Sequence, residues 1–347
     1  MFDDNDKIFD ELLTSQLLSY RFDASMRRKV LADLAELEKT LIGQIQNSRI
    51  DEVTFKARRF KELLAAVKFT INDVYSSIDT KVGKDLSEYV TLESQFISAT
   101  LSDLVVATSV AIPVNKLNSI YSNSLIEGAP SSDWWKRQSL KLRNNFEDNI
   151  RQGLLLGESN NQLVQRIRGT RAFGFKNGVM NTTRSDAEAL IRSSVQTVAN
   201  QARFETLEFN HDIIASYRHV STLDSRTSDQ CIVRDGVRWD AVSKSPIGHN
   251  IPFRVPPIHW NCRSTLVPEL KGIDPADDAK RASAEGPVKA SMTFETYLKG
   301  KSESFQDDVL GKGKAQLYRD KKITLRQLLD QSGNPLTLSE LRSKYNK

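Results

Sequence analysis

The chain has 347 residues, 39% of them hydrophobic and 27% charged, and its 49 basic and 44 acidic side chains leave a net charge of only +5. That is ordinary globular usage: it excludes a collagenous or disordered chain, leaves room for about two domains, and permits polyanion contact without demanding it. Two cysteines exclude a disulfide framework, and no basic head with an apolar core and a small-residue cleavage site opens the chain, so the expectation is synthesis in a reducing cytoplasm.

Apolar residues recur at helical spacing at Val30, Leu34, Leu37, Leu41 and Ile45, and again at Phe60, Leu63, Leu64, Val67, Ile71, Val74 and Ile78, which predicts two amphipathic helices. Asn47 and Ser48 separate them, with Asp51 or Thr54 as the cap of the second. A third helix is expected from Asp85 through Leu101, and Pro113 forbids its continuation. The longest apolar stretch, from Leu104 to Val114, is too short and too interrupted to span a membrane. Residues 1–127 therefore read as a helical hairpin or bundle.

A break at 127–132 precedes a helix over 133–156 that begins with Trp134 and Trp135 and ends at Gly157. Asn160 is expected to cap a short helix through Arg168, a Gly-rich hinge covers 169–181, and a helix opening at Ser185 and Asp186 carries Leu190, Ile191, Val195, Val198 and Ala202. The basic cluster of Arg166, Arg168 and Arg171 reads first as a solvated face. Beyond Asn210 the period shortens, predicting strands over 213–220, 237–239 and 263–267. The polar stretch 272–291 reads as a linker, and helices are expected at 297–310, 325–329 and 338–345. The fold class is α+β: a mainly helical N-terminal half, a small α+β module with short strands over 133–271, and a helical C-terminal tail over 292–347.

All four histidines and both cysteines lie between His211 and Cys262. Cys231 with Asp235 and His259 with Cys262 form two close pairs, the arrangement in which zinc usually finds four ligands. Other readings stay open for each. Asp235 and Gly236 suit a turn, both cysteines suit small buried hydrophobes, and His259 suits a bond to a backbone carbonyl or a pairing with Asp224 or Asp235. Arg226 and Arg263 suit carboxylates within the domain. His211, His219 and His249 lack matching spacing and read as surface or core residues. No phosphate-cradling loop, His-Glu-x-x-His or paired nucleophile and base is visible, so catalysis is not expected.

Leu223, Asp224, Ser225, Arg226 and Thr227, then Cys231 to Gly236, then Pro256, Pro257, Ile258, His259, Trp260, Asn261, Cys262 and Arg263 together resemble the phage head morphogenesis proteins, the minor capsid proteins similar to phage Mu protein F. The helix with Ala199, Asn200, Gln201, Ala202 and Arg203 is similar to the one leading into the family motif. In many members the two halves look like Cys-x2-Cys and His-x2-Cys-x-Cys, whereas here Ser228 and Ser264 stand at the extra positions. The resemblance implies a virion component of the capsid interior or portal vertex, incorporated during head assembly. Its partners would be portal, scaffold or major capsid proteins and, in some relatives, double-stranded DNA. It also marks Asp224, Arg226, Gly236, Asn261 and Arg263 as motif residues and 1–127 as a region free to dock. The competing reading is a metal-dependent enzyme or toxin-like effector carrying a virion-associated module.

Overall fold

An apolar stripe that is never interrupted keeps a helix going. The computed structural model describes residues 4–50, 56–104, 112–274 and 278–345, and its first two elements are long helices, α1 (Asp4–Ser48) and α2 (Lys56–Leu104). The helices expected before Ile78 and after Asp85 are one, because Val82 and Leu86 continue the buried stripe across Gly83, and a single helical glycine costs only about 1 kcal/mol. Helix α1 starts well ahead of Val30 for the same reason, since Ile8, Phe9 and Leu12 are also buried. The proposed caps Asp51 and Thr54 and the stretch 105–111 lie outside the described residues.

Three shorter helices follow: α3 (Val114–Asn123), α4 (Ser131–Leu155) and α5 (Asn160–Arg168), then a 3-10 turn at Arg171–Phe173 and the long α6 (Val179–Glu208). Ser159, not Asn160, caps α5, because it forms a reciprocal capping box with Gln162.

The chain divides into two compact units interleaved in sequence: Tyr20–Glu88 with Ser122–Val195, and Met1–Ser19 with Tyr89–Tyr121 and Gln196–Lys347. The break at 127–132 falls inside the first of these units, and residues 1–127 are shared between the two. The first of these units is a helical bundle. Its core takes Leu34, Leu41 and Ile45 from α1, Ile71, Ile78 and Leu86 from α2, and Phe146 and Ile150 from α4, each burial contributing about 1.5–3 kcal/mol. Pairs of Lys29 with Asp85 and Lys81 with Asp33 bridge α1 and α2 on the wet side.

The second unit is built on an antiparallel sheet of order β3-β2-β1-β4. Its strands are β1 (Ile214–Val220), β2 (Arg238–Asp240), β3 (Pro246–Ile247) and β4 (Thr265–Leu270), with the short helix α7 (Asp229–Arg234) between β1 and β2. Tyr217 faces Trp239 on one side and Pro268 on the other. Ile8, Phe9, Leu12, Ile97, Leu101 and Leu207 share a core with Tyr217 and Trp239.

The stretch 272–291 is no linker. It holds a hairpin, β5 (Lys280–Ser283) and β6 (Gly286–Lys289), whose polar composition reflects its exposed face, while Arg281 is buried. Leu223 pairs in parallel with Ser283. The tail comprises α8 (Phe294–Lys299), α9 (Glu303–Leu310), α10 (Lys312–Arg319), a 3-10 turn (Leu325–Leu328) and α11 (Leu338–Tyr345). Ser302 caps α9 and so splits the single helix expected over 297–310. Phe294, Leu298, Leu310, Leu328 and Leu341 belong to the same core as β1, so the tail is part of this unit.

Candidate metal centre

Two loops meet at α7, and each is held by its own sequence. In the first, Asp224 Oδ1 accepts the Arg226 N–H at 3.0 Å and Thr227 Oγ1 donates to the Thr222 carbonyl at 2.5 Å. Ser228 then caps α7, its Oγ accepting the Cys231 N–H, which sets Cys231 on the first turn. In the second loop the Pro256–Pro257 bond is cis and Asn261 has a φ of 59°, a left-handed conformation that asparagine tolerates better than most residues. The Cys262 N–H reaches back to the His259 carbonyl at 3.2 Å, closing the turn. Arg263 joins the loops through two 2.6 Å bonds to the Asp224 carboxylate. Burial works to raise the Asp224 carboxyl, but Arg263, helped by the Arg226 N–H and guanidinium, holds the group below its ordinary range. Arg226 is mostly exposed and reaches Asp224 only at 3.5 Å.

Cys231 and Cys262, each 1% exposed, come together with His259 so that their ligand atoms all lie within 4.8 Å of one another. The two sulfurs are 3.6 Å apart and Cys231 Sγ is 3.2 Å from His259 Nε2. A tetrahedral centre about 2.3 Å from each sulfur would set them about 3.8 Å apart, so the spacing fits zinc. His259 Nδ1 lies 2.8 Å from the Trp260 carbonyl, which can only accept, so this nitrogen carries a proton. In the neutral ring that leaves the Nε2 lone pair directed at the sulfurs, as a metal-ligating histidine requires. Ser228 Oγ lies 2.7 Å from the same Nε2. Hydrogen bonding from the Cys231 thiol holds the Cys262 thiol well below its ordinary value, and the same bond to Cys262 pushes Cys231 up.

Asp235, expected as the fourth ligand, is corrected. Its oxygens accept from Arg281 at 2.5 and 3.0 Å, from the Ser221 N–H at 2.8 Å and from the Phe294 N–H at 2.7 Å, which leaves no lone pair for a metal. Arg281 also donates to the carbonyls of Ser221 and Met292. Gly236 beside it has a φ of 80°, and a Cβ there would press on the Thr293 methyl at 3.1 Å. The turn reading of Asp235 and Gly236 is the one realised. Ser228, a residue singled out only as a missing cysteine, stands beside the three, its hydroxyl within hydrogen-bond reach of His259 Nε2.

The partners and roles of other polar groups left no local trace in the sequence. Arg203 on α6 bonds Glu93 at 2.6 Å, Gln16 and Ser15 at 3.1 Å, and Thr265, connecting α1, α2, α6 and β4 within one unit. His219 on β1 is fully buried, and among the described residues neither ring nitrogen has a hydrogen-bond partner. Burial holds its pKa down at about 4, so it is neutral at pH 7. His249 bonds the Arg238 carbonyl at 2.7 Å, and His211 bonds that of Glu208 at 2.9 Å.

Compared with known proteins, residues 144–267 match the family model described as Phage Mu protein F like protein, which bears out the resemblance to phage head proteins over that stretch. No curated protein and no solved structure matches the chain. The matched stretch holds both loops, the thiol and imidazole cluster and Arg203, but neither Arg281 nor Glu93.

Proposed function

We propose that the chain is a minor head protein of a tailed phage or prophage, acting in head morphogenesis at the portal vertex and contacting double-stranded DNA during packaging or ejection. The observation that carries this reading is the family match over 144–267, supported by the convergence of the motif residues Asp224, Cys231, His259, Cys262 and Arg263 in one corner of the fold. Partners on this reading are portal, scaffold or major capsid proteins. Among the described residues no helix is long and apolar enough to cross a membrane. Mass spectrometry of purified virions and empty procapsids tests it: presence in both at a few copies per portal is expected, and absence from both overturns it. Affinity for DNA that does not weaken steeply as salt rises would remove the DNA contact.

The same reading assigns zinc to Cys231, His259 and Cys262, with Ser228 beside them, as a structural ion. Support comes from the spacing of the sulfurs and from their burial, since a catalytic zinc keeps a position open to substrate and these thiols are closed off. When bound, the ion would tie the loop before α7 to the loop after Pro257. About one zinc per chain by elemental analysis is expected, together with a lower melting temperature after chelation. Metal-free protein of unchanged stability would leave the corner to hydrogen bonds alone. A metal-dependent enzyme is the reading to adopt if His259→Ala abolishes an activity while leaving the melting temperature unmoved.

A further inference from the structure

Among the described residues three arginines are fully buried, and only two of them have an anion. Arg203 has the Glu93 carboxylate at 2.6 Å and Arg281 has that of Asp235 at 2.5 Å. Arg234, on α7 and 0% exposed, makes one bond, from Nη1 to the Gln230 carbonyl at 3.3 Å, one turn back on its own helix. Its Nε and Nη2 have no hydrogen-bond partner among the described residues. Those two nitrogens form the edge of a guanidinium that grips two oxygens at once. Elsewhere in the chain the same edge of Arg27 holds Asp23 at 2.8 and 3.1 Å, and that of Arg166 holds Glu158 at 2.6 and 2.8 Å. A buried cation without an anion is costly to keep, so this edge is built for a partner that the described residues do not supply.

The acids nearest in sequence are committed elsewhere. Asp229 at the start of α7 pairs with Lys314 at 2.6 Å, Asp235 at its end belongs to Arg281, and Asp330 accepts the Asn334 N–H at 2.8 Å. The charged groups that bear on Arg234 are Arg254, of like sign, and the thiols of Cys231 and Cys262. Burial and then Arg254 pull the guanidinium below its ordinary range, and the thiols oppose them. Neither sulfur bonds the free Nε or Nη2. Arg254 is exposed, as is Arg326 on the 3-10 turn that packs against α7, and among the described residues neither has an ion pair. Gly333 closes the edge from outside. It is buried between exposed Ser332 and Asn334, has a φ of 82°, and a Cβ on it would lie 2.8 Å from Arg234 Nη2. The free edge therefore lies directly beneath a surface turn, at the one position of that turn that carries no side chain.

We infer that Arg234 and Arg254 form a phosphate-binding site beneath the 330–335 turn, in which the Nε and Nη2 edge of Arg234 donates to two phosphate oxygens and Arg254 adds the second positive charge. A carboxylate would satisfy the edge alone. The oxygens of phosphate are spread over a tetrahedron, so one group meets guanidinium ions arriving from two different elements, α7 and the loop before Pro256. Arg326 adds to the positive field. The turn at Gly333 shifts outward to admit the anion, since Arg234 has no exposed surface in the closed fold. The phosphate is either free in solution or part of a nucleic-acid backbone, and what Arg234 recognises is the same in both. The inference does not depend on the head-protein reading, because it rests on the charge balance around Arg234.

Thermal unfolding of the full chain at fixed ionic strength, with chloride exchanged for inorganic phosphate, tests it. The wild-type midpoint is expected to rise by at least about 2 °C more than that of Arg234→Met, the variant reporting the general stabilisation that phosphate gives any fold. Arg254→Ala, at an exposed position, should weaken phosphate binding at least about fivefold, and it decides the matter against wild type should Arg234→Met misfold. Arg58→Ala, which removes the same charge from an exposed position on α2, should leave the rise intact. Duplex DNA then distinguishes the sources. Binding that phosphate competes away and Arg254→Ala weakens identifies a backbone phosphate, whereas DNA indifferent to both identifies the free ion. Equal rises for wild type and Arg234→Met, or a rise that Arg254→Ala leaves unchanged, overturns the proposal.

Discussion

Three residues separate Cys231 from Asp235, yet the two sit in opposite chemical situations. At Asp235 every oxygen lone pair in reach is taken by Arg281 and by two backbone N–H groups. At Cys231 the neighbours are a second thiol, an imidazole nitrogen with its lone pair directed inward, and a hydroxyl. The first arrangement is complete as it stands, while the second is a set of donors with coordinating capacity left over. A saturated knot locks a fold and a set with spare lone pairs can hold something else, so the residue type alone, aspartate or cysteine, does not reveal which role a motif position plays.

The comparison breaks most visibly at the knot. Asp235→Ala leaves the Arg281 cation buried without its partner, and about 3–5 kcal/mol of stability should be lost; a denaturant midpoint showing less than about 1 kcal/mol would mean that water replaces the carboxylate. His219 comes next. Its pKa is about 4 in the fold against an ordinary 6.5, so the unfolded chain binds the extra proton between those values. Its contribution is fully present above pH 6.5 and falls by about 3 kcal/mol as pH drops to 4. His219→Leu should flatten that part of the pH profile, and an unchanged slope would assign it to carboxylates instead.

Smaller effects sharpen the contrast between the two arginines of the motif. Arg263→Ala, which removes a bidentate bond to Asp224, should cost about 1.5–3 kcal/mol, whereas Arg226→Ala should stay within about 0.5 kcal/mol. Equal costs would place Arg226 in the structural role. At the corner itself, Ser228→Cys adds a thiolate where the hydroxyl already faces His259, and zinc affinity should rise at least about tenfold, or about 1.4 kcal/mol. A competition titration with a chromophoric chelator reads this directly, and an unchanged affinity would show that Ser228 lies outside the coordination sphere.

Much of this was legible in the order of residues. Helical stripes placed α1, α2, α4 and α6, alternation placed β1 and β2, and the spacing of Cys231, His259 and Cys262 identified the three groups that meet. The failures share one cause, which is that partners distant in sequence leave no local trace. Asp235 looked like a ligand because Arg281, which occupies it, lies in a stretch whose composition suggested a linker. Arg203 was named only as part of the helix leading into the motif, and its role stayed hidden because Glu93 and Ser15 are far away along the chain. Ser228 was visible only as an absence, although its hydroxyl both caps α7 and faces His259. The split of the chain into interleaved units was hidden for a related reason: a stripe on a long helix is buried equally well whichever neighbours cover it.

Near the start of the chain, Asn5 Oδ1 accepts the Leu270 N–H at 2.8 Å and Asp6 Oδ1 accepts those of Asp278 and Ala279 at 3.0 and 2.9 Å. On the ribosome these contacts cannot form until more than two hundred further residues have been translated, which at about 5–20 residues per second takes roughly a quarter of a minute to a minute. During that interval Ile8, Phe9 and Leu12 have no sheet to cover. The unit holding the metal corner is therefore bound to assemble late in synthesis, and the first turns of α1 are where a nascent chain of this protein would be most exposed to chaperones and proteases.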